Sequence, residues 1–338
     1  MENNLLQYLL VTIILFAGML LYFKLADKYN IIDKPNERSS HNYITLRGGG
    51  IVFWLAGVLY AAFNLPESLY FLIGLTLICG VSFWDDVSSL PNKVRIVIHF
   101  LSISLVFYGL GLFVLLPWWL IVIAYIFFVG IMNAYNFMDG INGMIGLYSL
   151  VVLIALQYVN YQEAFHCGHP QGMPLRLQSP AINPDFINYA ILACIVFLFF
   201  NFRKRAKCFA GDIGALGLAF WMVTLLIQLM LATNSVIWIL FLAVYGVDTV
   251  CTILHRLYLK QNIFQAHRLH FYQILVNERK QSHLTVAAGY AGVQLLICGI
   301  VIYAYECGNE IEQWCIGAAI IMVLLLVYLL KFKKTDEK

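Results

Sequence analysis

Charged residues are scarce in this chain: Asp, Glu, Lys and Arg make up 12% of its 338 residues, whereas soluble domains carry about 25%. This scarcity excludes an ordinary soluble globular protein. The eight cysteines show no C-x-x-C spacing, so they form no recognisable zinc or dithiol motif. The sequence also has no internal repeat and no low-complexity segment.

Apolar residues are abundant instead and make up 62% of the chain. They occur in blocks of the length that a helix needs to cross a hydrocarbon core, about 20 residues. The blocks are continuously apolar rather than alternating, so they predict helices and not a barrel. We therefore expect an all-α polytopic integral membrane protein. Its eleven predicted transmembrane helices lie near 5–23, 48–64, 69–84, 95–113, 116–132, 143–159, 187–202, 213–232, 236–254, 284–304 and 314–331.

Positive charges lie almost entirely on one side of the predicted membrane. If the N-terminus is outside, every Lys and Arg except Arg176 falls in the inside loops, in the C-terminal tail or at the helix ends beside them. Loops rich in Lys and Arg stay on the cytoplasmic side. The sequence therefore predicts an outside N-terminus and a cytoplasmic C-terminus.

Polar residues gather in five of the predicted cytoplasmic loops. Their sequences are DKPNERSSHNYITLRGGG from Asp33, WDDVSSLPNKVRIVIHF from Trp84, NAYNFMDGINGM from Asn133, NFRKRAKCFAGDIGALG from Asn201 and AHRLHFYQ from Ala266. We predict one transmembrane domain, 1–338, whose active site is built from loops 24–47, 85–95, 133–143, 201–215 and 255–283.

The asparagine-rich loop follows an apolar helix directly. Capping of that helix explains one polar residue there, but Asn133, Asn136 and Asp139 recur at i, i+3 and i+6 and are expected on one helical face. Two other acidic positions are notable. Asp85 and Asp86 are adjacent carboxylates, which implies a metal ion or a basic partner, and Asp212 begins a helix in a glycine-rich turn of the kind that accepts phosphate.

These loops supply oxygen ligands for a hard cation and basic groups for phosphate. Mg²⁺ prefers such ligands and commonly keeps substrate phosphates in its shell. The set fits phosphoryl transfer between a lipid-borne phosphate and a soluble nucleotide. A polytopic transporter or lipid flippase is the alternative, although such proteins usually show internal repeats or broken helices. Asp248 and His255, near the end of a predicted span, are further functional candidates because ionisable groups are costly in membranes.

The five motifs, in this order, resemble those of the polyprenyl-phosphate N-acetylhexosamine-1-phosphate transferases (glycosyltransferase family 4). The family's N-x-x-N-x-x-D-G-x-[DN]-G pattern matches Asn133 to Gly143, and its F-M-G-D-x-G-S pattern resembles Phe209 to Ala215. Its first-loop R-S-x-H motif resembles the segment from Arg38 to Gly50, with Ile44 and Leu46 where the family has prolines.

The resemblance implies roles for individual residues. The catalytic carboxylates would be Asp85, Asp86 and Asp139, and the metal ligands on the diphosphate would be Asp212 and Asn136. Asn142 and Asn201 would lie near the uracil, and Arg268 and His270 at the sugar-diphosphate end, where Tyr272 would help to choose the sugar. The remaining substrate-binding positions are Ser40, His41, Thr45, Arg47, Lys93, Arg95 and Asn133.

The resemblance also implies a reaction and its partners. The enzyme would move N-acetylhexosamine 1-phosphate from a UDP-N-acetylhexosamine to undecaprenyl phosphate, with Mg²⁺, or Mn²⁺ in its place, as cofactor. Membrane lipid and a second copy of the chain are further partners, and nucleic acid is not one. The form H-R-x-H-x-Y-Q from His267 to Gln273 resembles the branch that starts O-antigen or capsule chains in the bacterial inner membrane. Direct attack by the lipid phosphate and a ping-pong route through an aspartate both stay open.

Overall fold

The computed structural model describes residues 2–33, 43–88, 90–166, 182–262 and 268–332. The predicted substrate-binding residues Ser40 and His41 lie outside these ranges. Within them the chain is almost entirely helical, which confirms the all-α class. The thirteen α-helices of the described residues are α1 (Glu2–Lys28), α2 (Ile51–Phe63), α3 (Leu69–Val87), α4 (Asn92–Gly109), α5 (Leu112–Leu115), α6 (Trp118–Met138), α7 (Met144–His166), α8 (Pro184–Asn201), α9 (Gly211–Thr233), α10 (Ala243–Tyr258), α11 (Phe271–Asn277), α12 (His283–Cys307) and α13 (Glu310–Leu329).

All eleven predicted spans fall on helices. In the part of the chain that the structure describes, nine helical segments are long and apolar enough to cross a membrane. The two others are α2, which has 13 residues, and α4. A polytopic membrane protein is thereby confirmed, while eleven crossings and the orientation stay predictions. The span predicted at 236–254 begins as a 3₁₀ segment, Ile237–Leu242, and continues as α10.

Helix α9 forms the centre of the bundle. It is apolar on all sides, and nearly all of its side chains are buried, as expected of a helix surrounded by other helices. Glycines let its first turn approach α2 closely: a Cβ on Gly50 would lie 2.0 Å from the Cα of Gly214. Contacts of this kind fix the N-terminal end of α9, which carries Asp212, against the start of α2.

A small hairpin places the first polar loop beside the same helix end. Strands β1 (Ile32–Asp33) and β2 (Thr45–Leu46) pair antiparallel. Leu46 also bridges Cys208, and its carbonyl accepts a hydrogen bond from the backbone of Phe209 at 2.8 Å. Because β2 is attached on both sides, the next residue, Arg47, is held at the start of α9. This attachment joins two loops that lie more than 150 residues apart in sequence.

Candidate active site

The carboxylate of Asp86 binds the N-terminus of α9. Its Oδ1 accepts a hydrogen bond from the backbone of Asp212 at 3.0 Å, and its Oδ2 accepts one from Ile213 at 3.1 Å. These N–H groups have no partner within their own helix, and the helix dipole favours an anion there. The Asp86 side chain is completely buried. It therefore positions Asp212, a role for which the sequence alone gave no signal.

Asp85 takes a different direction from its neighbour at the end of α3. Its side chain remains partly exposed and pairs with Arg95 at 2.8 Å. Its other oxygen accepts a hydrogen bond from the backbone of Leu90 at 2.7 Å. The carboxyl groups of Asp85 and Asp212 also lie within hydrogen-bonding reach of each other. Asp85 is thus the member of the pair that faces the open side of the cluster.

Asp139 joins the cluster from the end of α6. It is the residue after the helix, not part of it, so the three polar residues of this motif do not all lie on one helical face as the spacing predicts. Its Oδ2 accepts a hydrogen bond from the backbone of Gly211 at 3.1 Å. Burial, together with the negative charges of Asp212 and Asp86, raises the pKa of Asp139 to about 7. An added cation would relieve this repulsion.

Two arginines lie between the four carboxylates. Arg47 contacts Asp86 at 2.7 Å and Asp212 at 3.6 Å, and Arg95 contacts Asp212 at 3.6 Å in addition to its bond with Asp85. The hydroxyl of Tyr22 donates to the backbone carbonyl of Arg47 at 2.6 Å, which fixes that segment. Both guanidinium groups are partly exposed. Each can therefore exchange part of a carboxylate contact for a phosphate.

The donor set fits a divalent cation that is completed by substrate. In the ranges described, no group of three or more His, Cys, Asp and Glu side chains has the arrangement of a ready-made metal site. Mg²⁺ needs no such cage, because it commonly binds through one or two carboxylates, water and substrate phosphates. Four aspartates and two arginines leave the cluster with two uncompensated negative charges if all are ionised. A divalent cation bound beside Asp212 would offset this negative charge.

Three further predicted site residues belong to the asparagine-rich motif and to the motif that contains Asp85. Asn136 is half-buried one turn before Asp139, and its carbonyl accepts the Asp139 N–H at 3.4 Å. Asn133 is exposed and donates to the Val129 carbonyl of its own helix. Lys93 is exposed at the start of α4. Their assigned roles as a metal ligand and as substrate contacts stay predictions.

Asn142 and Asn201 hold loops together. Both side chains are buried. Asn142 donates to the carbonyl of Arg203 at 2.7 Å and to the hydroxyl of Tyr43 at 3.1 Å. Asn201 accepts from the backbone of Gly143 at 2.6 Å and donates to the carbonyl of Cys208 at 2.8 Å. The two asparagines thus fasten the NAYNFMDGINGM loop to the loop before α9, and their predicted place near the uracil stays a prediction.

Residues of the first and last polar loops are also placed. Thr45 is buried in β2, and its hydroxyl has no hydrogen-bond partner among the described residues. Arg268 is half-buried just before α11. His270 caps α11, and its ring lies 5.7 Å from that of Phe137 in the asparagine-rich motif. The last loop thereby reaches the segment that carries Asp139, as the sequence predicts.

Tyr272 is buried against the asparagine-rich motif. Only 1% of it is exposed, and its hydroxyl donates to the Phe137 carbonyl at 2.9 Å. Tyr272 is thus bonded to the segment that carries Asp139, and its role in choosing the sugar stays a prediction. Tyr43 is a residue that the sequence analysis missed: its hydroxyl accepts hydrogen bonds from Asn142 and from the backbone of Ala206 at 3.0 Å. Its sequence context carries no signal for this role.

The geometry of the cluster as a whole suits the transfer of a phosphoryl group. Partly exposed Asp85 can accept a proton or orient a nucleophile. Arg47 and Arg95 can bind phosphate oxygens, and Asp212 is oriented by Asp86 toward the same space. General acid–base groups, cations and a preorganised carboxylate are the usual parts of a phosphoryl-transfer site.

Comparison with known proteins gives a consistent picture. Residues 68–230 match the family described as Glycosyl transferase family 4. The chain is 26% identical to the undecaprenyl-phosphate alpha-N-acetylglucosaminyl 1-phosphate transferase of Yersinia pestis over 94% of its own length and 89% of that protein. It is 23% identical to the protein of the same name from Escherichia coli K12, over 96% of its own length and 88% of that protein.

A third relative, from Bacillus subtilis, has a similar level of sequence identity. The probable undecaprenyl-phosphate N-acetylglucosaminyl 1-phosphate transferase of Bacillus subtilis is 27% identical, over 75% of this chain and 72% of that protein. The family match contains Asp85, Asp86, Asp139 and Asp212, all four carboxylates of the cluster. The family match and these relatives therefore support the resemblance of this chain to the polyprenyl-phosphate N-acetylhexosamine-1-phosphate transferases of glycosyl transferase family 4.

Proposed function

We propose that this protein transfers N-acetylhexosamine 1-phosphate from a UDP-N-acetylhexosamine to undecaprenyl phosphate and releases UMP. The observation that carries the proposal is the convergence of Asp85, Asp139 and Asp212 with Arg47 and Arg95, which come from four separate polar segments. The relatives bear names for this reaction with N-acetylglucosamine, and UDP-N-acetylglucosamine is the first donor to test.

The residues divide the reaction between them. Asp85 accepts the proton of undecaprenyl phosphate or orients it, and a phosphate oxygen of the lipid then forms a bond to the β-phosphorus of the UDP-sugar. The bond between this phosphorus and the oxygen bridging to the α-phosphate breaks, and UMP leaves. Arg47 and Arg95 bind the oxygens on which negative charge develops. Asp212, with Asn136, would hold Mg²⁺, which when bound neutralises charge on the diphosphate.

The position of the site in the fold supports a location for the reaction at the membrane surface. Asp85 lies in the last turn of α3 and Asp139 follows α6, so both lie at helix ends, where the phosphate of a membrane lipid must be. The distribution of Lys and Arg supports a cytoplasmic site in the bacterial inner membrane, where UDP-sugars are available. The H-R-x-H-x-Y-Q form of the last loop supports a role in starting an O-antigen or capsule chain.

The test is UMP release by purified protein in detergent or vesicles. We expect UMP only when a UDP-sugar, undecaprenyl phosphate and Mg²⁺ are all present, with loss of product after chelation by EDTA. A panel of UDP-N-acetylglucosamine, UDP-N-acetylgalactosamine and UDP-glucose identifies the sugar. Asp212→Asn is the matched inactive control, because it changes one carboxylate to an amide of the same size.

The same experiment separates the enzyme from the transporter alternative. A flippase would move a labelled lipid between leaflets without consuming the UDP-sugar. Lipid movement without UMP release would therefore reject the proposal, as would UMP release that does not depend on the lipid.

A further inference from the structure

The buried carboxylate of Asp248 in α10 is not explained by the proposed reaction. Only 3% of Asp248 is exposed, and a charge in such a place is costly unless hydrogen bonds compensate for it. Both of its oxygens are used. Oδ2 accepts from the hydroxyl of Tyr290 at 2.6 Å, and Oδ1 accepts from the backbone of Phe271 at 3.0 Å and from Thr252 at 3.2 Å.

A further partner of Asp248 is the ring of His270. The distance from His270 Nδ1 to Asp248 Oδ1 is 3.3 Å. A carboxylate partner places the proton on Nδ1 and fixes the orientation of the ring. Asp248 thus holds both the side chain of His270 and the backbone of the residue after it. Together these contacts fix the point where the last polar loop turns into α11.

Helix α11 transmits this attachment to the candidate active site. Its second residue, Tyr272, donates to the Phe137 carbonyl at 2.9 Å. Tyr272 also fits tightly under the following turn, since a Cβ on Gly140 would lie 2.1 Å from the Tyr272 hydroxyl. Two residues, Met138 and Asp139, lie between these two contacts, and the carboxylate of Asp139 accepts a hydrogen bond from the backbone of Gly211 at 3.1 Å.

We propose that Asp248 is a positioning residue of the transferase: through His270, the start of α11 and Tyr272, it fixes the segment Phe137–Gly140 and thereby the carboxylate of Asp139. The inference rests on the proposed function for its kinetic consequence. Its structural part, the coupling of Asp248 to the asparagine-rich loop, does not depend on which reaction takes place. The two parts are therefore tested by separate measurements.

Hydrogen–deuterium exchange of the full-length protein in detergent tests the structural part. The amides of residues 133–144 are followed in the wild type, Asp248→Asn and Tyr272→Phe. We expect both variants to exchange about tenfold faster in this segment. Tyr189→Phe is the matched control, because it also removes a buried hydroxyl, here bonded to Gln7 at 2.8 Å, but lies outside the proposed connection. Its exchange in residues 133–144 should equal that of the wild type.

Kinetics of UMP release tests the functional part. Each variant should lower kcat about tenfold or more with little change in the KM for the UDP-sugar, because Asp139 is misplaced while the remaining binding groups stay. The double variant should be little worse than either single variant, since both changes interrupt the same connection. A merely structural effect would lower the amount of folded protein and leave the kcat of the folded fraction unchanged.

The outcomes are separable. Unchanged exchange of residues 133–144 in both variants overturns the inference, whatever the activity. If the wild type releases no UMP, the proposed function fails, while the exchange data still decide the coupling. Should Asp248→Asn not fold, Tyr272→Phe retains the ring that fills the space under Gly140, and its exchange and kcat decide the question.

Discussion

Asp86 caps the helix that carries Asp212: its two carboxylate oxygens accept the backbone N–H groups of Asp212 and Ile213 at 3.0 and 3.1 Å. The adjacent residue, Asp85, pairs with Arg95 and faces the open side of the cluster. The two neighbouring aspartates therefore have different roles, and substitution of each one should have a different effect.

We expect Asp85→Ala and Asp86→Ala to lower activity for different reasons. Removal of Asp85 takes away the proposed proton acceptor and should lower kcat about 10²- to 10⁴-fold, with little loss of stability. Removal of Asp86 leaves two buried N–H groups without a partner, which costs about 1–3 kcal/mol each. Steady-state kinetics and thermal unfolding of both variants check this. Equal losses of stability would contradict the division of roles.

The variant Asp212→Asn should abolish transfer while the protein stays folded in the membrane. A neutral amide weakens the Mg²⁺ site, and loss of one key electrostatic contact commonly costs about 10²-fold or more in rate. Turnover is measured over a range of Mg²⁺ concentrations. Near-normal turnover at limiting Mg²⁺ would show that Asp212 does not hold the cation.

Replacement of Gly211 by alanine should damage the site without removing any functional group. Gly211 has a φ of +70°, and a Cβ there would lie 2.6 Å from Asp86 Oδ2. The backbone conformation alone costs about 1–2 kcal/mol for a residue with a side chain. We expect a lower unfolding temperature and a loss of activity. Gly130→Ala in α6 is the control, since nothing lies within 4 Å of its added Cβ. Equal behaviour of the two variants would contradict the geometry.

The stability of the metal-free protein should depend on Asp139. The pKa of Asp139 in the folded protein, about 7, is above the ordinary value of about 3.9. Between these pH values the folded state binds more protons than the unfolded state, so stability falls as the pH rises from about 4 to about 7. In EDTA, the difference in unfolding temperature between the wild type and Asp139→Asn should therefore change over this window. A difference that does not vary with pH would reject the assignment.

The orientation of the chain is a separate prediction. We expect the N-terminus outside and the C-terminus in the cytoplasm. The reason is that Lys and Arg are concentrated in the loops that lie on the same side of the membrane as the C-terminus. A reporter fused after Lys338, read in intact cells and in opened vesicles, decides this. An outside C-terminus would place the whole cluster away from the cytoplasmic UDP-sugar pool.

Much of this protein follows from its sequence alone. Continuous apolar blocks determine that the chain is helical and embedded in a membrane, because every backbone group must be satisfied within its own helix there. The points where those apolar blocks begin or end put Asp85, Asp139 and Asp212 at helix termini. Because successive transmembrane helices run in opposite directions, these termini are expected on one face of the membrane. Both results depend on local sequence, so they could be predicted.

The tertiary structure decided what each of these residues contacts. No local pattern distinguishes Asp86 as the cap of α9 from Asp85 as the exposed carboxylate, because the difference arises from the packing of α3 against α9. The same holds for Tyr272: no local pattern predicts that its hydroxyl donates to the Phe137 carbonyl. Hydrogen bonds between residues more than 100 positions apart depend on how the helices pack, and packing is a property of the whole chain.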